Sequence, residues 1–158
     1  MDPNSSEHPL VTDLRFPRQL LLWALRQTRY GNGQAVIKQL ITDALQRVGL
    51  SQAHKHLDIL IGCFAADGGR QLHLLPPDRS WVSCDEMLLL DALGTLQSGD
   101  DYELTHFWQL WLSPSGVRLA TAHAAAIAAQ FRNAGLMLGA PDEWLPPVPS
   151  PSPSALLH

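Results

Sequence analysis

Val48-Gly49-Leu50-Ser51-Gln52-Ala53-His54-Lys55-His56-Leu57-Asp58-Ile59-Leu60 is the stretch on which the reading of the fold turns. Gly49 interrupts an apolar-periodic segment, because glycine accepts the left-handed backbone that follows many helices. Ser51 can cap the next segment, its hydroxyl accepting from a first-turn N–H. Beyond the corner, Ala53, Leu57, Leu60, Ile61 and Phe64 recur at helical spacing. Before it, Ile37, Leu40, Ile41, Ala44, Leu45 and Val48 do the same, with Gln39, Thr42, Asp43 and Gln46 on the opposite side. Two amphipathic helices joined by a tight corner are therefore expected.

The same alternation of apolar stripe and stop signal extends outward in both directions. Upstream, Pro17 suits the first turn of a helix, where a missing N–H costs nothing. Leu20 to Leu25 is almost continuously apolar and Gly31-Asn32-Gly33 ends the segment. Downstream, Asp67-Gly68-Gly69 breaks the pattern, and Gln71 to Leu75 reads as an extended linker or one arm of a small hairpin before Pro76-Pro77. Ser83-Cys84-Asp85-Glu86 is a capping box. It opens a helix with Leu89, Ala92, Leu93 and Leu96 inward, which stops at Gly99. Asp100 and Asp101 place negative charge where a fifth helix would start, with Leu104, Phe107, Trp108 and Trp111 as its stripe. Ser113-Pro114 opens a last helix that turns Ala120, Ala124, Ile127, Ala128 and Phe131 inward and ends at Gly135. The expected fold is all-α: a compact bundle of about six short helices, with a possible small hairpin near residues 66–75. Residues 1–12 read as a flexible lead-in, 13–140 as the helical domain, and 141–158 as a Pro/Ser-rich tail in which Pro146 and Pro149 make a PxxP.

Composition narrows the function classes. Of the 158 residues, 46% are hydrophobic and only 16% charged, which describes a packed protein with less polar surface than usual, so that a partner is expected to cover some apolar surface. A formal net charge of -4 and a sequence pI near 5.9 argue against a general phosphate-backbone binder. Cys63 and Cys84 form no CxxC and read as buried free thiols. The first residues carry no basic-then-apolar leader and no apolar run is long enough to span a bilayer, so a cytoplasmic setting without membrane association is expected.

Gly49-Leu50-Ser51-Gln52 followed by a helix resembles the turn and recognition helix of winged helix-turn-helix regulators, with Asp67-Gly68-Gly69 in the place of a wing tip. That resemblance implies DNA contacts from Gln52, Lys55 and Arg47. The register disagrees with it. In the family pose the recognition helix would turn Lys55 and Asp58 inward, whereas the apolar stripe falls two residues earlier, a rotation of about 200°. Burying Lys55 and Asp58 unpaired would be costly, so an ordinary bundle corner is the first reading and DNA binding the alternative.

Charge is unevenly divided. Residues 15–79 hold nine Lys and Arg against four acids, a net of +5, and residues 80–143 hold two against eight, a net of -6. The two halves could face each other within one chain or across a pair of chains. Arg18, Arg26 and Arg29 fall within an arc of about 80° on the first helix, beside the apolar Leu21, Leu22 and Leu25. These six residues are the expected partner-binding surface, for a protein partner or a second copy. His54 and Asp58, spaced i,i+4, are the only sequence-local metal pair, with His106 and His123 on other helices. No GxGxxG, P-loop, HExxH, GxSxG or EF-hand loop occurs, no catalytic residue stands out, and no cofactor is expected. The sequence thus reads as a non-enzymatic helical interaction or regulatory protein, then as a DNA-binding regulator using residues 36–64, and third as a metal-assisted enzyme.

Overall fold

Ser83 shows how the sequence signals become structure in the computed structural model of this chain, which describes residues 8–31, 33–66, 71–99 and 106–139. Its hydroxyl accepts from the Glu86 N–H at 3.1 Å while the Glu86 carboxylate accepts from the Ser83 N–H at 2.9 Å, so the capping box is closed in both directions. Ser113 caps the last helix in the same way, accepting from the Gly116 N–H at 3.3 Å, with Pro114 in the first turn. Gly49 and Gly135 end their helices with φ of 87° and 77°. At each, the N–H of the following residue, Leu50 or Leu136, reaches back to Leu45 or Phe131 and satisfies a last-turn carbonyl.

Among the described residues these signals delimit a 3-10 turn at Val11–Asp13 and five α-helices. We number the helices α1 (Phe16–Gly31), α2 (Ala35–Arg47), α3 (Ala53–Ala66), α4 (Cys84–Gln97) and α5 (Pro114–Asn133). A further helical turn covers 106–108, where Trp108 is fully buried. The start expected for that segment at Asp100, Asp101 and Leu104 lies outside the described residues, as do the Asp67-Gly68-Gly69 break and the Pro/Ser-rich tail with its PxxP. The all-α bundle is as expected, and no helix of the described residues is long and apolar enough to cross a membrane.

The α3–α5 interface is the most extensive in the bundle, α4 packs on the same α5, and α1 lies against α2, α3 and α4 at once. Alanine at 120 and 124 on α5 lets α3 and α4 approach closely, and Ile127 and Phe131 complete that face, all fully buried. Phe64 and Phe107 close one end of the core against Trp108 and Trp111, with ring centroids 4.4–6.4 Å apart. At the other end, residues 136–139 cross α4 at Gly94, where any Cβ would collide with the Gly139 carbonyl oxygen. The Gln97 side chain fixes this crossing, donating to Leu136 C=O at 3.0 Å and accepting from Leu138 N–H at 2.7 Å.

Several expectations are corrected. No strand occurs among the described residues, and the only bridge is an isolated one between Leu10 and Trp81. Gln71 to Leu75 is an extended linker, not a hairpin arm, because its N–H groups turn to α4: His73 donates to Asp85 at 2.8 Å and Leu75 to Glu86 at 2.9 Å. Within the segment expected as a lead-in, Val11 N–H donates to Ser80 C=O and Pro9 C=O accepts from Val82 N–H. Ser51 stays exposed, and the backbone closes the corner into α3, Ala53 N–H donating to Leu50 C=O at 3.1 Å. Cys63 is buried as expected, but Cys84 is exposed at the first position of α4. On α2 only Ile41 and Leu45 are fully buried; Leu40, expected inward, is 47% exposed.

Candidate functional site

The residues expected to greet a partner on α1 are placed inside the molecule. Leu21, Leu22 and Leu25 are at most 1% exposed, Arg18 and Arg26 are 1% and 2% exposed, and of the six only Arg29 reaches the surface. A helix that is apolar nearly all round is covered here by three neighbours from its own chain, so these five side chains cannot form a docking surface in the folded protein.

Arg18 and Arg26 face α4. Arg26 meets Glu86 in a two-pronged pair, Nε to Oε2 at 2.8 Å and Nη2 to Oε1 at 2.9 Å, and its remaining donors reach Arg79 C=O at 2.9 Å and Trp81 C=O at 2.7 Å. Glu86 in turn accepts from Leu75 and Ser83 N–H, so the buried carboxylate takes four hydrogen bonds and the guanidinium gives four. Arg18 pairs with Asp91 at 2.8 Å and donates to Leu138 C=O at 2.6 Å. Burial pushes the Asp91 carboxyl above its ordinary pKa, outweighing the opposite pull of the Arg18 hydrogen bond and charge. The basic and acidic halves are thus joined within the chain by Arg18–Asp91 and Arg26–Glu86.

On α3 the register follows the bundle reading. Ala53, Leu57 and Leu60 are fully buried, Phe64 is half-buried, and Lys55 and Asp58 are exposed. Gln52, Lys55 and Arg47 are all at the surface, but the helix turns to solvent the very positions that the DNA-binding pose would bury. Leu57→Ala should accordingly lower folding stability by about 2–5 kcal/mol, whereas Lys55→Ala should change it by less than about 0.5 kcal/mol. Urea denaturation of the two variants checks the contrast, and similar losses would contradict the register.

His54 and Asp58, expected as a metal pair, stand one turn apart on α3. Asp58 lies 3.8 Å from Lys38 of α2, and the Nδ1 of His54 is buried without a hydrogen-bond partner. Among the described residues no group of three or more His, Cys, Asp or Glu side chains is arranged to hold an ion.

The histidines that do meet are His56 and His123, on α3 and α5, with Nδ1 atoms 2.9 Å apart and ring centroids 5.1 Å apart. They lie 67 positions apart in the chain, so no local spacing could have announced them. Burial lowers the pKa of His56 from its ordinary value near 6.5, and the charges of His123 and Lys55 lower it further. A histidine whose folded pKa is depressed contributes stability that is present above the ordinary value and lost as pH falls through the folded one. Acidification from pH 7.5 to 5 should therefore lower the melting temperature of the native chain more than that of His56→Gln. Parallel melting curves test this, and equal losses would remove His56 from the account.

Large apolar side chains are exposed on several elements, two of them on α2. Val36 is 78% exposed, more than any other large hydrophobic residue among those described, and Leu40 follows one turn later at 47%. At 100° per residue Val36, Leu40 and Arg47 share an arc of about 40°, with Ala44 about 40° beyond it. Lys38, which reaches toward Asp58, lies on the opposite flank, so this strip points away from α3. Of the concavities, one between Arg29, Ile61, Phe64, Leu72 and Leu74 holds only about 20 Å³, room for a water. Comparison with protein-family models, with curated proteins and with solved structures returned no match.

Proposed function

We propose that the protein is a non-enzymatic interaction module that presents the outer strip of α2 to a helical protein surface, on a different protein or on a second copy of itself. The observation that carries this reading is the 78% exposure of Val36 beside the half-exposed Leu40 on a helix with only two fully buried residues. Exposed valine and leucine in register on one helical face fit recognition of another helix, where anchors recur at i and i+4. Arg47 at the end of the strip favours a partner with a carboxylate at its rim, which would govern encounter and orientation more than affinity.

The test compares the native chain with Val36→Glu/Leu40→Glu in affinity capture from native extract and in light scattering after gel filtration. Leu119→Glu, on the exposed side of α5, serves as the control. The expected result is a captured protein, or a dimer, that is lost in the α2 variant and kept in the control while all three chains melt alike. Equal capture and equal mass for the native and α2 chains would overturn the reading. A duplex-DNA mobility shift at near-physiological salt that depends on Gln52, Lys55 and Arg47 would replace it with the DNA-binding alternative.

A further inference from the structure

We infer that His56 and His123 form an open two-histidine site for a divalent transition-metal ion, bound through the two Nδ1 atoms and clamping α3 to α5. The two nitrogens stand 2.9 Å apart with the rings tilted by 42°. Both rings are half-buried, which leaves an approach from solvent. With metal–nitrogen bonds of about 2.0–2.1 Å, a 2.9 Å separation sets a nitrogen–metal–nitrogen angle of about 90°. That is the angle between neighbouring positions of a square-planar or octahedral ion, the geometry of Cu²⁺ and Ni²⁺. A tetrahedral Zn²⁺ would need the nitrogens about 3.3 Å apart, a slight opening of the helix pair. Cu²⁺ is therefore favoured twice, by the angle and by its place at the top of the affinity order for nitrogen ligands.

The protonation state suits the ligand role. A hydrogen bond between two Nδ1 atoms requires one ring to carry its proton on Nδ1 and the other on Nε2. An entering ion displaces the shared proton, which moves through solvent to the Nε2 of the same ring. Both rings are then neutral with Nδ1 free to bind, and no net proton is released. Burial, and then the charges of His123 and Lys55, shift the His56 ring toward its neutral form. Among the described residues no third His, Cys, Asp or Glu completes a cluster, so the other coordination positions fall to water. Such a site acts as a staple on the α3–α5 interface, because the paired rings of the folded chain bind the ion more tightly than the separated histidines of the unfolded one.

Titration of the native chain with Cu²⁺, and separately with Ni²⁺, tests this at pH 7.5. Calorimetry should show one saturable high-affinity equivalent, accompanied by a rise of several degrees in melting temperature. Both should be lost in His56→Gln and in His123→Gln, kept in His106→Gln, and lost in the native chain at pH 5. In the native chain itself, paramagnetic Cu²⁺ should broaden the ring resonances of His56 and His123 at lower concentration than those of His8, His54, His73 and His106, a readout independent of how any variant folds. The absence of a saturable equivalent, its survival in both glutamine variants, or earlier broadening at another histidine would overturn the proposal.

Discussion

Glu86→Ala is expected to lower folding stability by about 3–5 kcal/mol, the range found when one partner of a buried ion pair is removed. The carboxylate is fully buried and accepts two hydrogen bonds from Arg26 and one each from the Leu75 and Ser83 N–H groups. Its removal strands a guanidinium whose side chain is 3% exposed, with only the Arg79 and Trp81 carbonyls left to it, and orphans two backbone donors. The same change opens the capping box of α4 and frees the extended segment before it. Urea denaturation monitored by circular dichroism reads the loss. Adding Arg26→Met to Glu86→Ala should restore part of it, because the stranded charge is gone while the two N–H groups stay unpaired. A loss under about 1 kcal/mol would be the value of an exposed pair, and would contradict the burial of this one.

Leu22→Arg is expected to abolish folding outright. Leu22 is 1% exposed on the side of α1 enclosed by other helices, so an introduced guanidinium would be desolvated at a cost of several kcal/mol. Lost packing adds about 2–5 kcal/mol. Together these approach or exceed the roughly 5–15 kcal/mol that holds a typical domain folded. Circular dichroism and light scattering should show an unfolded or aggregated chain at low and at high salt. A soluble, helical monomer derived from a native dimer would instead mean that Leu22 sits in an interface between chains.

Local signals were legible and tertiary ones were not. The capping box at Ser83–Glu86, the cap at Ser113, the stops at Gly49 and Gly135, and the inward faces of α3 and α5 each depend on residues within a few positions of one another, where spacing carries the physics. The continuous apolar run of α1 admitted two physical solutions, burial by its own chain or burial by a partner. Only the placement of Glu86 and Asp91 opposite Arg26 and Arg18 decides between them. The opposed charges of the two halves were a signal pointing to that pairing, open to both solutions. On α2 Leu40 was grouped with the inward stripe and Val36 stood outside it, because a helix with apolar residues on more than one flank does not declare which flank is covered. The His56–His123 contact joins chain segments brought together by packing, and sequence spacing holds no trace of it.

Amide hydrogen exchange on the native chain tests the central claim most directly, that α1 is the internal pillar and α2 the peripheral helix left open for contact. Protection reports the opening free energy of each segment, and internal elements exchange only when the whole domain unfolds. Amides of α1 around Leu21, Leu22 and Leu25 should exchange last, with the free energy of global unfolding. Those of α2 should exchange earlier through local opening, since only Ile41 and Leu45 anchor it fully. Exchange in α1 before α2, or α2 protection equal to global unfolding in a strictly monomeric sample, would contradict it.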